Sequence, residues 1–225
     1  MLRLGHRGAK AYVAENTIAS IKRALSYNID GVEIDVHCCA TGELVVFHDA
    51  TVDRMTNGSG TIKNMALGEL KQLKVDGRFQ IPILTEVLDV VGNKKIINIE
   101  LKGENTAMPT CNIIKDYIAN KGWAYANFLV SSFQYGELEV VYKTNPKIPI
   151  GVLTKANIND ALAFAKTVSA VAIHPNYALL TDVNVKQVQL QGYKVYTWTV
   201  NGPKTILRMK QYGVNGIISD TPDRL

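Results

Sequence analysis

Four short stretches carry residue types that can do chemistry together. Glu33-Ile34-Asp35-Val36-His37 and Asn98-Ile99-Glu100-Leu101-Lys102 both alternate polar and apolar positions. Side chains two apart on an extended strand share a face, so Glu33, Asp35 and His37 project together, as do Asn98, Glu100 and Lys102. Neighbouring carboxylates repel one another, and burial makes the repulsion worse. A cation relieves it, and Glu100 adds a third carboxylate to a donor set with oxygen atoms and no thiolate. That set suits one hard divalent cation, Mg2+ or Ca2+, better than zinc.

The other two stretches, Gly5-His6-Arg7-Gly8 and Phe47-His48-Asp49, supply a pair of histidines. Imidazole exchanges a proton near neutral pH. Two histidines beside a cation suit cleavage of a phosphodiester, one taking a proton from the nucleophile and the other protonating the departing alcohol. Which of His6 and His48 is the base stays open. Arg7 and Lys102 are then the positive groups around an anion. Each stretch also has a plainer reading, such as a polar strand edge or a Glu100–Lys102 ion pair. Their combination favours a site.

These residues need a frame. Apolar runs rich in Val and Ile recur at 2–5, 31–36, 44–47, 95–101, 128–132, 148–153, 170–174, 194–200 and 216–219. They read as strands. Helical spacing falls between them, for example at 17–27, 106–121, 135–143, 158–167, 182–191 and 203–212, the last opened by Asn201-Gly202-Pro203 and closed by Gly213. Such alternation implies parallel strands joined by crossover helices, an α/β fold. The gap between Val36 and Leu44 is too short for a crossover, so those runs form a hairpin. A two-residue turn at Thr41-Gly42 would set Asp35 opposite His48.

Eight parallel strands remain, and the expected architecture is a (β/α)8 TIM barrel, whose C-terminal strand ends form the active face. A doubly wound open sheet is the alternative, but neither of the phosphate loops such sheets often carry is present. Residues 50–85 break the rhythm, with Asn57-Gly58-Ser59-Gly60, one amphipathic segment at 67–73, and Ile81-Pro82. They read as a small insertion after the hairpin, on the catalytic rim of a single domain spanning 1–225.

Composition sets the outer bounds. With 225 residues, 47% apolar and 20% charged, the chain can bury a sizeable core, which excludes intrinsic disorder. No apolar run approaches the roughly 20 residues of a membrane span. A stable membrane insertion is not expected, and the chain reads as soluble. The start at Met1-Leu2-Arg3-Leu4 lacks the pattern of a secretory signal. That reads as cytoplasmic, or as a mature chain whose leader has been removed. Cys38, Cys39 and Cys111 make no disulfide framework and read as reduced packing thiols. There are 25 Lys and Arg against 20 Asp and Glu, yet no basic run that would mark a nucleic-acid partner. The charge excess suits a small phosphorylated substrate. Composition leaves the oligomeric state open.

In order along the chain, His6-Arg7-Gly8, Glu15-Asn16-Thr17, Glu33-Ile34-Asp35-Val36, Val46-Phe47-His48-Asp49, Asp53-Arg54-Met55-Thr56-Asn57-Gly58, Ile81-Pro82, Ile99-Glu100-Leu101-Lys102, Trp198-Thr199-Val200-Asn201 and Gly216-Ile217-Ile218-Ser219-Asp220-Thr221-Pro222 closely resemble the glycerophosphodiester phosphodiesterase family. The resemblance runs from residue 4 to residue 223. It implies a barrel with a small insertion, and metal-dependent hydrolysis of a glycerophosphodiester to sn-glycerol 3-phosphate and an alcohol. It implies that His6 and His48 are the acid/base pair, that Glu33, Asp35 and Glu100 are the metal ligands, and that Arg7 and Lys102 contact phosphate. It places Trp198, and similarly Phe133, close to the substrate, and Glu15 and Asn16 in support of the loops. Ala14 stands where the family usually has proline, and Lys10 and Tyr12 also alter that first loop. Two alternatives remain: a related barrel enzyme that acts on lysophospholipids or releases a cyclic phosphate, and a non-catalytic phosphodiester-binding protein.

Overall fold

The computed structural model describes residues 1–225. In chain order the elements are β1 (Leu2–His6), α1 (Ile18–Leu25), β2 (Gly31–Cys38), β3 (Leu44–Val46), α2 (Leu67–Gln72), α3 (Leu84–Val91), β4 (Ile96–Leu101), α4 (Ala107–Asn120), β5 (Phe128–Ser132), α5 (Tyr135–Thr144), β6 (Ile150–Thr154), α6 (Ile158–Thr167), β7 (Ala172–Pro175), α7 (Asp182–Leu190), β8 (Lys194–Thr197), α8 (Pro203–Gln211) and β9 (Gly216–Ser219). Local chemistry marks their ends. Thr17 Oγ1 accepts from Ser20 N at 3.1 Å and caps α1. Pro203 opens α8, and the left-handed Gly213 lies just beyond its end.

The sheet order β1-β9-β8-β7-β6-β5-β4-β2 closes through a β1–β2 pairing. All of these pairs are parallel. The fold is therefore a closed (β/α)8 TIM barrel, with β3 added antiparallel at the end of β2. Alternation along each strand sorts its side chains. Val32, Ile34, Val36, Ile97, Ile99, Val130, Val152 and Ile173 face outward, into a core completed by helix residues such as Ile21, Leu88 and Ile114. Their neighbours Glu33, Asp35, Asn98, Glu100, Ser131 and His174 face the inside of the ring.

Two local expectations need correction. The hairpin pairs Val36 with Val46, His37 with Val45 and Cys38 with Leu44, and Phe47 N donates to Asp35 O at 3.0 Å. Phe47, not His48, therefore lies opposite Asp35. The cause is a three-residue connection, Ala40-Thr41-Gly42, in which Gly42 takes φ 96° and donates to Cys39 O at 3.0 Å. A left-handed third residue of this kind favours glycine. Second, α3 occupies 84–91, beyond the helical segments expected above. Its Leu84, Val87, Leu88 and Val91 are all buried, in the i, i+3, i+4, i+7 pattern of a helix face packed on the barrel.

Between β3 and α3 a separate small core forms. Phe47, Val52, Ile62, Leu70, Val75 and Ile81 bury against one another, anchoring α2 and the 3-10 turn Ile62–Asn64 beside the mouth of the barrel. No helix is long and apolar enough to cross a membrane. All three cysteines are free, and burial pushes the Cys111 thiol up to about 11.

His174 is fully buried, and neither ring nitrogen has a hydrogen-bond partner. Its ring fills the space above Gly151, where a Cβ would stand 2.4 Å from Nε2. Burial lowers its pKa to about 3. Below an unfolded value near 6.5 the unfolded chain takes up a proton that the folded chain refuses, so stability falls with pH. The loss is about 1.4 kcal/mol per pH unit. The drop in Tm from pH 7 to pH 5 should be smaller by about 4–8 °C in His174→Phe than in wild type, read by thermal melts. Equal drops would contradict this account.

Candidate active site

The C-terminal strand ends gather the proposed residues in one place. One oxygen from each of Glu33, Asp35 and Glu100 lies within 4.8 Å of the others. Strand register explains why: Asp35 pairs directly with Glu100, and Glu33 with Asn98 and with His6. Glu33 and Asp35 are almost wholly buried. Glu33 Oε1 and Glu100 Oε1 have no hydrogen-bond partner. Lys102 Nζ reaches Glu100 Oε1 as an ion pair at 3.1 Å, without hydrogen-bond alignment. Burial, then repulsion from Asp35, lifts Glu100 to about 7, and the same two causes with repulsion from Glu100 added lift Glu33 well above the usual carboxylate range. Three oxygen donors crowded and under-compensated in this way fit a divalent cation.

His6 closes β1. Its Nδ1 donates to Asp220 Oδ1 at 2.6 Å, which leaves Nε2 facing inward, 3.9 Å from Glu33 Oε2. Asp220 in turn accepts from Asn201 Nδ2 at 2.8 Å. His48 Nδ1 likewise donates to Asp49 Oδ1 at 2.6 Å. The tautomer of each histidine follows from the carboxylate it meets, and in both cases Nε2 is left for chemistry. Burial lowers both imidazoles below their ordinary value, against the opposing pull of the neighbouring carboxylates. Arg54 and His48 together hold Asp49 at about 2. Burial alone would raise Asp220, but the hydrogen bond from His6 keeps it low.

A tight loop after His6 places Arg7. Its backbone is left-handed, φ 51°, and the adjacent Gly8 takes φ 85° against Ser20, where any Cβ would meet backbone at 2.6 Å. That strain is held by specific partners. Arg7 N donates to Glu33 Oε2 at 3.0 Å, and Arg7 Nη1 donates to Glu15 Oε1 at 2.8 Å. Arg7 Nε lies 3.2 Å from Asp35 Oδ2. Glu15 also accepts from Arg54 Nη2 at 2.6 Å, and Arg54 Nε donates to Asp49 at 2.5 Å. A chain of charged contacts thus runs from Arg7 to His48. Asn16, left-handed at φ 57°, donates from Nδ2 to Asp35 Oδ2 at 2.9 Å.

A narrow pocket of about 80 Å³ takes its walls from these groups: His6, Arg7, Glu33, His48, Glu100 and Lys102. Phe133 and Trp198 meet edge to face at 5.5 Å on the same pocket. Asp49, Asp220, Asn201 and Arg54 lie in the sequence motifs but carry no role there. Asp49 had a signal, adjacency to His48. Asp220 needed the closure of β9 onto β1 to be seen.

The chain matches the model of the Glycerophosphoryl diester phosphodiesterase family over residues 6–224. The chain belongs to this family. A glycerophosphodiester phosphodiesterase from Caldanaerobacter subterraneus subsp. tengcongensis is 35% identical, covering 99% of this chain and 95% of that protein. One from Bacillus altitudinis is also 35% identical, over 97% of this chain and 94% of that protein. Among solved structures, an Oleispira antarctica phosphodiesterase in complex with the product sn-glycerol-3-phosphate superposes with a TM-score of 0.89. It is 29% identical and covers 98% of this chain and 93% of its own. The glycerophosphodiester phosphodiesterase of Thermotoga maritima, 26% identical, gives a TM-score of 0.81 over 99% and 96%. Family membership makes the chain a phosphodiesterase by class, and the clustered groups stand at the barrel face where this fold carries its chemistry.

Proposed function

We propose that the protein hydrolyses glycerophosphodiesters to sn-glycerol 3-phosphate and an alcohol, using a divalent cation and two histidines. The observation that carries this reading is the geometry of His6 and His48, each backed by a carboxylate, on one pocket with three crowded carboxylates. Glu33, Asp35 and Glu100 would hold the cation, Mg2+ or Ca2+, which when bound would supply positive charge for the phosphoryl group. Arg7 and Lys102 neutralise the charge that grows on the phosphoryl oxygens. His6 and His48 exchange protons with nucleophile and leaving group at their Nε2 atoms. Glu15 fixes Arg7 and Arg54, Asn16 fixes Asp35, and Phe133 and Trp198 bound the mouth around the glycerol. The substrate is a small molecule, and residues 1–225 act as one unit that includes the segment at about 50–85.

Purified protein given glycerophosphoglycerol, glycerophosphoethanolamine or glycerophosphocholine with Mg2+ or Ca2+ should release sn-glycerol 3-phosphate. EDTA should abolish the release, and either cation should restore it. Turnover that survives EDTA would overturn the metal reading. A cyclic glycerophosphate as the final product would overturn the hydrolytic one.

A further inference from the structure

The pocket at the carboxylates, about 80 Å³, is small beside a cleft of about 650 Å³ that shares Lys102 with it. The other sizeable clefts share no residue with the site. One wall of this cleft is the turn carrying Thr61, Lys63 and Asn64. The opposite wall is the segment from Lys102 to Asn105, with Gln134 beside it. We propose that this cleft is the head-group subsite, and that it selects a hydroxyl-rich, uncharged alcohol over a quaternary ammonium. The inference rests on the reading of the site as a glycerophosphodiesterase.

Both walls are built before any ligand arrives. Ile62 is fully buried in the small core, and its N donates to Ala50 O at 2.9 Å, which fixes the turn that presents Lys63. On the other side, the Gln134 amide donates to the Lys102 carbonyl. Glu137 accepts from Asn105 N at 2.8 Å and from Ala107 N at 2.7 Å. The floor also reaches the reacting end. His37 lines the cleft, and its Nε2 donates to the His48 carbonyl at 3.1 Å. An alcohol leaving past Lys102 therefore passes a preformed surface.

The chemistry of that surface decides the alcohol. Thr61, Asn64 and Asn105 offer hydroxyl and amide groups that donate and accept, the complement of a polyol. With Lys102 engaged by Glu100 and turned to the phosphate, the remaining charged groups on the lining, Lys63 and Glu104, balance, so the lining has no net charge to attract a fixed cation. No Phe, Tyr or Trp lines the cleft, so the aromatic face by which quaternary ammonium groups are held is missing.

The test compares kcat/KM for glycerophosphoglycerol and glycerophosphocholine, read as sn-glycerol 3-phosphate released. Wild type should favour the glycerol diester by about tenfold or more, equivalent to about 1.4 kcal/mol. Lys63→Glu makes the lining net negative and should lower that ratio by about tenfold. Lys186→Glu, the same charge change on α7, should leave it alone. A wild-type ratio of one or less, or a ratio unmoved by Lys63→Glu, overturns the subsite. Failure of both diesters to yield sn-glycerol 3-phosphate would instead defeat the proposed function.

Discussion

His48→Ala is expected to lower kcat by about 100- to 10,000-fold while leaving the fold intact, the range over which positioned acid/base groups contribute. The side chain is 28% exposed, so its loss opens no core cavity. What the proposed mechanism loses is one proton-transfer group, the Nε2 left free when Nδ1 donates to Asp49. The second histidine cannot replace it. His6 is bound to Asp220, the residue just after β9, and faces Glu33, so under the proposed mechanism it has its own proton to move. Release of sn-glycerol 3-phosphate, measured with an unchanged thermal melt as control, gives the answer. A kcat within a few-fold of wild type would remove His48 from the chemistry.

Glu33→Gln should have an effect of similar size and leave a thermal signature as well. The substitution keeps the shape of a side chain that is 2% exposed and accepts from Arg7 N at 3.0 Å, but it removes a charge and an oxygen donor from the carboxylate cluster. A cation stabilising the transferring phosphoryl group is worth several kcal/mol, so activity should fall about 100-fold or more. Binding of the proposed cation would also stabilise the fold, by about 2.7 kcal/mol at 100 times its Kd. For a chain of this size that is a rise in Tm of about 5–10 °C. Wild type should show this rise on addition of Ca2+ or Mg2+, and Glu33→Gln should lose most of it. In EDTA the variant should melt no lower than wild type, because the remaining carboxylates repel less. A cation-induced shift of full size in the variant would exclude Glu33 as a ligand.

Much of this is legible in the sequence. The strands are buried on both faces, so their Val- and Ile-rich runs stand out, and period-two alternation sets Glu33 and Asp35 on one face of β2 and Glu100 on one face of β4, while closure of the barrel is what turns those faces inward. Less legible was anything that depended on loop geometry or on contacts distant in sequence. The hairpin register turned on one left-handed glycine, Gly42. The short helix at Leu84–Val91 followed Ile81-Pro82 so closely that its spacing merged with the irregular stretch before it. The support of the two histidines was divided. Asp49 is adjacent to His48, whereas Asp220 reaches His6 across 214 residues. The small core around Phe47 and Ile62 was hidden because its apolar residues are scattered among polar ones, with no single period to reveal them.

The contact between His6 and Asp220 joins the first strand to the residue after the last one. Neither a half-barrel nor a well-packed seven-strand sheet holds that imidazole, since its partner arrives only when β9 docks between β8 and β1. Loop-closure entropy weighs most heavily on such a contact. Helix content and a buried core report that the chain has collapsed. With His6 in its proposed role, turnover reports that the ring has closed, so an assay of product release doubles as a probe of barrel closure.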